Sequence, residues 1–377
     1  MKKTKNLIVF GTRPEAIKMA PLVKEFKKVD NEFDTKICIT AQHREMLDQV
    51  LAFFEIKPDY DLDLMRPNQS LYSLTANILN SLKPILEEFK PDYVYVHGDT
   101  TTTMASSLAA FYSGAQVCHI EAGLRTFNKL SPFPEEMNRC VTGVIADMHF
   151  APTQTSKENL LLENKREDTI VVTGNTVIDA LKFSVKKVNE TSFNDTEIGH
   201  LKSILDSNKR LILVTGHRRE NHGQGFINIC EALKQIVMEY PDVQIVYPVH
   251  LNPNVQKPVY DILDGLDAVK LIPPLSYPAF VWLMDKSYMI ITDSGGVQEE
   301  APSLGKPVLV MRNTTERPEA VDTGTVLLVG TDKSKIVSET SRLLKDKREY
   351  LKMSKLHNPY GEGKACEKIV NHISKTQ

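Results

Sequence analysis

The chain has 377 residues and a formal net charge of −2, with 41% hydrophobic and 25% charged residues. This length exceeds one comfortable core and predicts two domains of roughly 150–200 residues each, while the near-neutral charge without a long basic run argues against a nucleic-acid partner. No stretch approaches the ~20 apolar residues of a membrane span, and five scattered cysteines without a C-x-x-C pair indicate reduced thiols, so we expect a cytoplasmic protein with no membrane partner and no structural metal.

In the first half of the chain, short apolar runs alternate with helical patterns, which predicts an α/β fold with a parallel sheet. The predicted strands are Leu7–Phe10, Lys36–Thr40, Asp92–His97, Gln116–Ile120, Met148–Ala151 and Ile170–Thr173. The predicted helices are Ala16–Lys28, Leu71–Phe89 and Thr102–Tyr112, with a turn at residues 11–15.

The second half repeats this pattern. A strand at Arg210–Thr215 leads into a turn at Gly216, 205 residues after the corresponding Gly11, and then into a helix near 225–240. Further strands are predicted at Gln244–Pro248, Val269–Ile272, Tyr288–Thr292, Val308–Met311 and Thr325–Val329. A polar stretch near 172–205 is predicted to link two similar domains, and a break at 358–363 precedes a last helix, Lys364–Ser374.

Polar residues follow many of these strands, and in open parallel sheets ligands bind where the strands end. These residues are Arg13 and Lys18, His97 to Thr100, Glu121 to Arg125, His217 and Arg218, and Asp293 to Gly296. The first turn lacks G-x-G-x-x-G, and the second strand lacks a ribose-binding acid, which argues against a nicotinamide cofactor. Gly305-Lys306 is followed by proline and lacks the earlier P-loop glycine, which excludes a P-loop. We therefore expect no cofactor.

Ser294-Gly295-Gly296 stands between a buried strand and a helix predicted to begin near Val297. The two glycines are compatible with a plain tight turn, but they also permit close backbone approach to a phosphate at a helix N-terminus. A carboxylate one turn later, such as Glu300, is suited to sugar hydroxyls.

Several other candidates also have two readings. Asp99 and Glu121 follow neighbouring strands, where a carboxylate is either a helix cap or a buried reactive group. Glu135 and Arg139 are spaced i,i+4 on one helix, which suits a surface ion pair. His217 is either a proton donor or a phosphate ligand, and neighbouring prolines favour a structural turn at His250. His97 is predicted to be a satisfied core histidine.

Taken together, these segments resemble the non-hydrolysing UDP-N-acetylglucosamine 2-epimerases of bacteria over nearly the whole chain. The resemblance is carried by the stretches 11–18 (GTRPEAIK), 97–100 (HGDT), 121–125 (EAGLR), 134–136 (PEE), 216–220 (GHRRE), 293–300 (DSGGVQEE) and 311–319 (MRNTTERPE). Each motif alone is weak, and the set is specific.

The resemblance implies a GT-B-like α/β fold of two Rossmann-like doubly wound domains facing across a cleft. The first would span 1–175, with the C-terminal helix 364–377 packing back on it, and the second, UDP-binding domain would span 176–363. It also implies reversible conversion of UDP-N-acetylglucosamine (UDP-GlcNAc) to UDP-N-acetylmannosamine (UDP-ManNAc) through elimination and re-addition of UDP with a 2-acetamidoglucal intermediate, supply of cell-envelope polysaccharide synthesis, and a homodimer.

Site residues follow from the same resemblance. The catalytic group would be Asp99, Glu121, Glu135 and His217. The substrate-binding group would be Arg13, Lys18, Arg139, Leu275, Phe280, Ser294, Gly295, Gly296, Glu300 and Arg317. The chemistry fits these types, because leaving UDP needs cations and the electron-poor ring needs carboxylates, and proton exchange on two faces of C2 needs two acid/base groups.

Two departures stand out. Leu275 occupies a position where related sequences often have glutamine, which weakens uracil binding if that contact uses a side-chain amide. Some family members bind a second UDP-GlcNAc as an activator near the segments matching 42–45 and 65–68, and here Glu45 and Asn68 replace the expected glutamine and arginine.

Three alternative functions remain open. A GT-B glycosyltransferase shares the Ser-Gly-Gly turn and Glu300 but needs an acceptor and only one base. A hydrolysing epimerase would release free N-acetylmannosamine and UDP. A UDP-sugar sensor without activity would bind without turnover.

Overall fold

The computed structural model describes residues 2–41, 44–64, 66 and 69–376. Within these ranges the chain forms two compact units. Unit 1 consists of the described residues up to Ala180 together with those from Tyr360 onwards, and unit 2 spans Leu181–Pro359.

Unit 1 contains a seven-stranded parallel sheet with the strand order β3-β2-β1-β4-β5-β6-β7. Its strands are β1 Thr4–Phe10, β2 Phe33–Ile39, β3 Tyr60–Asp61, β4 Tyr93–His97, β5 Gln116–Ile120, β6 Met148–Ala151 and β7 Ile170–Val172. The order reverses direction between β1 and β4, and such a switch point is where doubly wound sheets bind ligands.

The strands of unit 1 are joined by helices in the β-α-β manner. These helices are α1 Arg13–Lys28, α2 Arg44–Phe53, α3 Leu71–Phe89, α4 Thr101–Ser113, α5 Glu135–Ile145 and α6 Gln154–Leu162. Helix α7 (Thr176–Val188) follows β7 and continues from unit 1 into unit 2. Because helices cover both faces, the strands read as near-continuous apolar runs. Residues 6–10 of β1 and all of β4 are buried, and Phe26 of α1 packs edge-on against Tyr95 of β4 with ring centroids 5.1 Å apart.

Unit 2 contains a six-stranded parallel sheet with the strand order β10-β9-β8-β11-β12-β13. Its strands are β8 Arg210–Thr215, β9 Val243–Pro248, β10 Val269–Ile272, β11 Met289–Thr292, β12 Val308–Val310 and β13 Val326–Leu328. Its helices are α8 Thr196–Ile204, α9 Gln224–Glu239, α10 Pro253–Leu263, α11 Tyr277–Lys286, α12 Gly295–Glu300, α13 Pro318–Asp322, α14 Lys333–Lys345 and α15 Lys347–Ser354. The predicted fold class of two doubly wound parallel sheets is confirmed.

The last helix, α16 (Ala365–Lys375), belongs to unit 1 and packs against α1. Asp179 accepts hydrogen bonds from the backbone N–H groups of Ala365 and Cys366, at 3.1 and 3.0 Å. One carboxylate therefore holds the first turn of α16. All five cysteines are free thiols. None of the helices in the described ranges is long and apolar enough to cross a membrane.

Several predicted boundaries are wrong for local physical reasons. Helix α1 begins at Arg13 rather than Ala16, because Thr12 and Glu15 form a capping box. The predicted polar link at 172–205 is largely helical, since α7 and α8 lie within it. Helix α2 and the two-residue strand β3 have no counterpart among the predicted elements. Helix α12 begins at Gly295 rather than near Val297.

Candidate active-site residues of the two units

In unit 1, Glu15 ties the turn after β1 to the turn after β4. Its Oε2 accepts the backbone N–H groups of Gly11 and Thr12 at 3.1 and 2.7 Å. Its Oε1 accepts the hydroxyls of Thr100 and Thr103 at 2.6 and 3.3 Å. The side chain is 2% exposed, so a buried carboxylate with four donors fixes the two strand ends relative to each other. Sequence analysis did not identify Glu15 as a site residue.

Gly11 is required by packing at the end of β1. A Cβ atom there would lie 2.0 Å from the Thr40 hydroxyl oxygen and 2.7 Å from that of Thr102. These two hydroxyls are hydrogen-bonded to each other at 2.9 Å in a buried position. Arg13, the first residue of α1, is half-buried and its guanidinium lies 3.8 Å from the Met46 sulfur.

Asp99 is paired with a cation from α5. Arg139 donates to Asp99 Oδ2 through Nε at 3.0 Å and Nη2 at 2.7 Å, and its Nη1 donates to Glu136 Oε2 at 2.9 Å. The capping alternative for Asp99 is wrong, because the Thr100 side chain caps α4. The surface ion pair expected between Glu135 and Arg139 is also wrong, since the partners of this nine-tenths-buried arginine are Asp99 and Glu136.

Glu135 and its neighbour Glu136 differ in environment. Glu136 is buried, and its Oε1 accepts the backbone N–H groups of Thr126 and Phe127 at 3.0 and 2.9 Å, which shapes the loop after β5. Glu135 is half-buried, and its Oε2 atom is solvent-inaccessible, with no hydrogen-bond partner in the described part of the chain. A carboxylate oxygen in that condition is costly in a purely structural role. Pro134 precedes α5 as its N-cap residue.

Glu121 directly follows β5 and has a strained backbone conformation with φ of 61°. Only a well-determined environment holds a non-glycine residue there, and such strain is concentrated at functional sites. Its Oε2 is ion-paired with Lys18 Nζ and lies 3.6 Å from His97 Nε2. Burial raises the pKa of Glu121, but Lys18 and His97 outweigh that effect and hold the pKa well below its ordinary value, so the group is a carboxylate at neutral pH.

His97 and His119 are both buried near the loop after β4. His97 is buried as predicted, but the expectation that its ring is satisfied is wrong, because its Nε2 has no hydrogen-bond partner among the described residues. His119 Nε2 lies 2.7 Å from the Gly98 carbonyl oxygen, an acceptor, so Nε2 carries the proton. Burial lowers the pKa of His119 to about 3, so this ring is neutral. Asn138 Nδ2 also donates to the Asp99 carbonyl at 2.9 Å. The loop carrying Asp99 is therefore held from several sides.

In unit 2, Asp293 supports the turn that carries His217. Asp293 is fully buried, and its Oδ2 accepts the backbone N–H groups of His217 and Arg218 at 2.9 and 2.8 Å. Asn221 Nδ2 adds a third contact at 3.3 Å. The other oxygen, Oδ1, lies 3.5 Å from His217 Nδ1. Asp293 appeared in the sequence only as part of a motif, and no local signal distinguished it.

The His217 ring lies against His250 at a centroid distance of 5.4 Å and an interplanar angle of 19°. His250 Nδ1 accepts the Asn252 backbone N–H at 3.1 Å, which agrees with a structural turn there. Burial lowers the pKa of His217; His250 and Arg218 lower it further, whereas Asp293 opposes the shift. Neutral His217 is therefore the prevailing form at neutral pH.

The Ser294-Gly295-Gly296 turn leads directly into α12, where Ser294 makes no side-chain cap. Arg317 covers this turn, because a Cβ atom on Gly295 would lie 3.6 Å from its Cζ. Its Nε donates to Glu299 Oε1 at 2.7 Å. Glu300 Oε2 lies near Gly296, 3.8 Å from where a Cβ would be. A guanidinium, two glycines and a helix N-terminus thus share one location, a combination that suits a phosphate group.

Leu275 and Phe280 lie on a different segment of unit 2. Leu275 is half-buried in the connection between β10 and α11, and Phe280 is half-buried in the first turns of α11. Their part in ligand binding stays a prediction.

Comparison with known proteins places the chain in a family. A family model described as UDP-N-acetylglucosamine 2-epimerase matches residues 25–374. The UDP-N-acetylglucosamine 2-epimerase of Escherichia coli (strain K12) is 60% identical over 369 residues, which are 98% of each chain. That of Yersinia pestis is 59% identical over 373 residues, 99% of each. The chain belongs to the UDP-N-acetylglucosamine 2-epimerase family.

A solved structure agrees with this membership of the UDP-N-acetylglucosamine 2-epimerase family. The crystal structure of the Neisseria meningitidis enzyme bound to UDP-GlcNAc is 55% identical, with a TM-score of 0.88. The match covers 99% of this chain and 100% of that one. The activator segments predicted from resemblance to the family fall partly on Gln42, His43, Met65, Pro67 and Asn68, which lie outside the described residues.

Proposed function

We propose that this chain epimerises UDP-GlcNAc reversibly at C2 to UDP-ManNAc, by elimination and re-addition of UDP. The observation that carries the proposal is Glu121, a buried carboxylate held in a strained conformation beside Lys18 at the end of β5. Membership in a family whose relatives bear this activity in their names supports it. No cofactor enters the proposed reaction.

The proposed roles follow from charge. Loss of UDP leaves positive charge developing on the sugar ring, and Glu121 enters the reaction as a carboxylate that stabilises it. Asp99 and Glu135 are the remaining carboxylates for proton exchange at C2, which needs acid/base groups on two faces. Arg139 orients Asp99, and the hydrogen-bonding capacity of Glu135 Oε2 is not used by the described residues. Arg13 and Lys18 supply positive charge.

Unit 2 is proposed to hold the nucleotide part of the same substrate. Arg317, Ser294, Gly295 and Gly296 would bind the pyrophosphate, and Glu300 the ribose hydroxyls. Leu275 and Phe280 would contact the uracil. His217 would stabilise the departing UDP or move a proton. We propose that the functional domains are 1–175 with 364–377, and 176–363.

The proposal is tested by proton NMR of the purified chain with UDP-GlcNAc in D₂O, without added NAD or metal. We expect UDP-ManNAc carrying deuterium at C2, because the C2 proton exchanges with solvent. Free N-acetylmannosamine with UDP would show a hydrolysing enzyme instead. If UDP-GlcNAc bound but was not converted, at low concentration and in excess, this result would contradict epimerisation. It would favour the sensor or a glycosyltransferase.

We also propose that the chain is a homodimer, joined through the helices of unit 1. Phe111 and Tyr112 at the end of α4 are 63% and 73% exposed, and Val144 of α5 is 75% exposed. Beside them a groove of about 970 Å³ runs between α3 and α4, with Leu79, Leu86 and Tyr112 in its lining. An exposed apolar patch of this kind is typical of a protein–protein interface.

Light scattering after gel filtration tests the dimer. The double variant Phe111→Glu/Tyr112→Glu is expected to elute as a monomer, because a like-charged interface cannot bury its glutamates. Met238→Glu, a change at an equally exposed position of unit 2, is the control and should keep the wild-type mass. A monomeric wild type, or a double variant that stays dimeric, would overturn the proposal.

We further propose that the reaction takes place in the cytoplasm, where free cysteines persist, and that the product supplies cell-envelope polysaccharide synthesis.

A further inference from the structure

A fully buried carboxylate beside a histidine needs an explanation. Asp293 has no exposed surface, and burying a carboxylate is costly unless donors compensate for its lost hydration. Three donors reach Oδ2, from His217, Arg218 and Asn221. No donor from the residues that the structure describes reaches Oδ1, which is solvent-inaccessible and lies 3.5 Å from His217 Nδ1. One oxygen therefore holds the turn, and the other is directed at the ring.

The contacts also fix the orientation of both groups. Because Oδ2 binds the backbone N–H of His217 itself, the carboxylate cannot rotate away without breaking that bond. His250 stacks on one face of the imidazole and restricts the plane of the ring. A carboxylate accepts hydrogen bonds and donates none, so the ring nitrogen facing Oδ1 is favoured in its protonated form. Such contacts are often long before substrate binds and shorten afterwards.

We propose that Asp293 is the positioning residue for His217, holding it as the Nδ1–H tautomer so that the lone pair on Nε2 faces the substrate. This inference rests on the proposed function, because the tautomer matters for turnover only if His217 acts on the UDP-sugar. A carboxylate behind a histidine has this effect in other enzymes, where replacing it with an amide inverts the tautomer and lowers kcat by about 10⁴.

The direct test is the variant Asp293→Asn. The asparagine oxygen can still accept the two backbone N–H groups, while its amide nitrogen takes the place of Oδ1 and donates to His217 Nδ1. The ring must then carry its proton on Nε2. Long-range ¹H–¹⁵N spectra of histidine-labelled protein report the tautomer, and the variant His217→Asn assigns the His217 signals by removing them. We expect Nδ1–H in the wild type and Nε2–H in Asp293→Asn.

Kinetics give the second readout. Asp293→Asn should lower kcat for UDP-GlcNAc by about 10²- to 10⁴-fold, with KM changed less than about 3-fold. In the His217→Asn background the same change should have little further effect, because the residues act as one unit. Asp242→Asn is the matched control: it neutralises an exposed carboxylate of the same unit, paired with Arg210, and should leave tautomer and kcat unchanged.

The outcomes are distinguishable. An Nε2–H tautomer in the wild type would overturn the inference, even if Asp293→Asn failed to fold. An equal loss of kcat with and without His217 would also overturn it, since Asp293 would then act through the backbone alone. If the wild type shows Nδ1–H but no epimerisation, the proposed function fails and the positioning of His217 stands.

Discussion

The proposed reactive carboxylates of unit 1 and the carboxylate that supports His217 in unit 2 are compensated by different kinds of groups. In unit 1, Glu121 and Asp99 are each compensated by a full positive charge, from Lys18 and Arg139. In unit 2, Asp293 is compensated by backbone N–H groups and an amide, with only a neutral histidine beside it. The first arrangement keeps carboxylates ionised where charge is needed, and the second fixes geometry around a side chain. Three variants and one pH series test how far the two units differ.

The largest effect is expected for Glu121→Gln in unit 1. The amide keeps the shape of the side chain but removes the charge that stabilises the reacting sugar, so turnover should fall by about 10²- to 10³-fold. Initial rates of UDP-ManNAc formation measure this. Glu158→Gln, an exposed change on α6, should retain full activity. Near-wild-type turnover in Glu121→Gln would remove Glu121 from the mechanism.

The next effect is on stability, at the glycine that follows β1. Gly11→Ala places a methyl group 2.0 Å from the buried Thr40 hydroxyl oxygen, so the Thr40–Thr102 hydrogen bond must be displaced. We expect a loss of about 1–3 kcal/mol in the free energy of unfolding, measured with urea. Gly199→Ala in α8, where an added methyl meets nothing within 4 Å, should be neutral or stabilising. An unchanged free energy of unfolding in Gly11→Ala would show that this turn can accommodate a methyl group without loss of stability.

Gly295, in the Ser294-Gly295-Gly296 turn of unit 2, should behave in the opposite way. A Cβ atom on Gly295 has ordinary contact distances, so Gly295→Val should fold normally. Its branched side chain blocks backbone approach and displaces Arg317, and we expect UDP to bind about 10-fold more weakly. Calorimetric titration with UDP measures the dissociation constants of the wild type and the variant. An unchanged dissociation constant would contradict a phosphate site at this turn.

The smallest effect concerns pH. Because the folded-state pKa of Glu121 is held well below its ordinary value of 4.5, its contribution to stability is present above pH 4.5 and is lost as the pH falls towards the folded-state pKa. The free energy of unfolding of the wild type minus that of Glu121→Gln isolates this contribution, because the other carboxylates titrate alike in both proteins. The difference in unfolding free energy should shrink by about 1 kcal/mol per pH unit below pH 4.5. A difference independent of pH would show that the Lys18 ion pair does not stabilise the fold.

Much of this protein could be predicted from local sequence. Strands buried on both faces are continuous apolar runs, so β5, β6, β8 and β10 were predicted with their observed bounds. Ligand-binding residues follow strands in parallel sheets, which is why Asp99 and Glu121 could be named without coordinates. The family motifs at 11–18 and 293–300 are contiguous stretches, so they can be recognised in the sequence without coordinates. Where capping set the boundary, as at Arg13, periodicity alone was three residues late.

The pairings inside the candidate site depended on the tertiary structure. Lys18 and Glu121 are 103 residues apart, and Arg139 and Asp99 are 40 apart, so only the strand order β1-β4-β5 and the placement of α5 bring them together. Spacing along the helix suggested Glu135 as the partner of Arg139, whereas packing against the loops turned Glu136 inward instead. Sequence periodicity describes which face of an element is apolar, but the direction of a single polar side chain is decided by the donors and acceptors that the folded chain places around it.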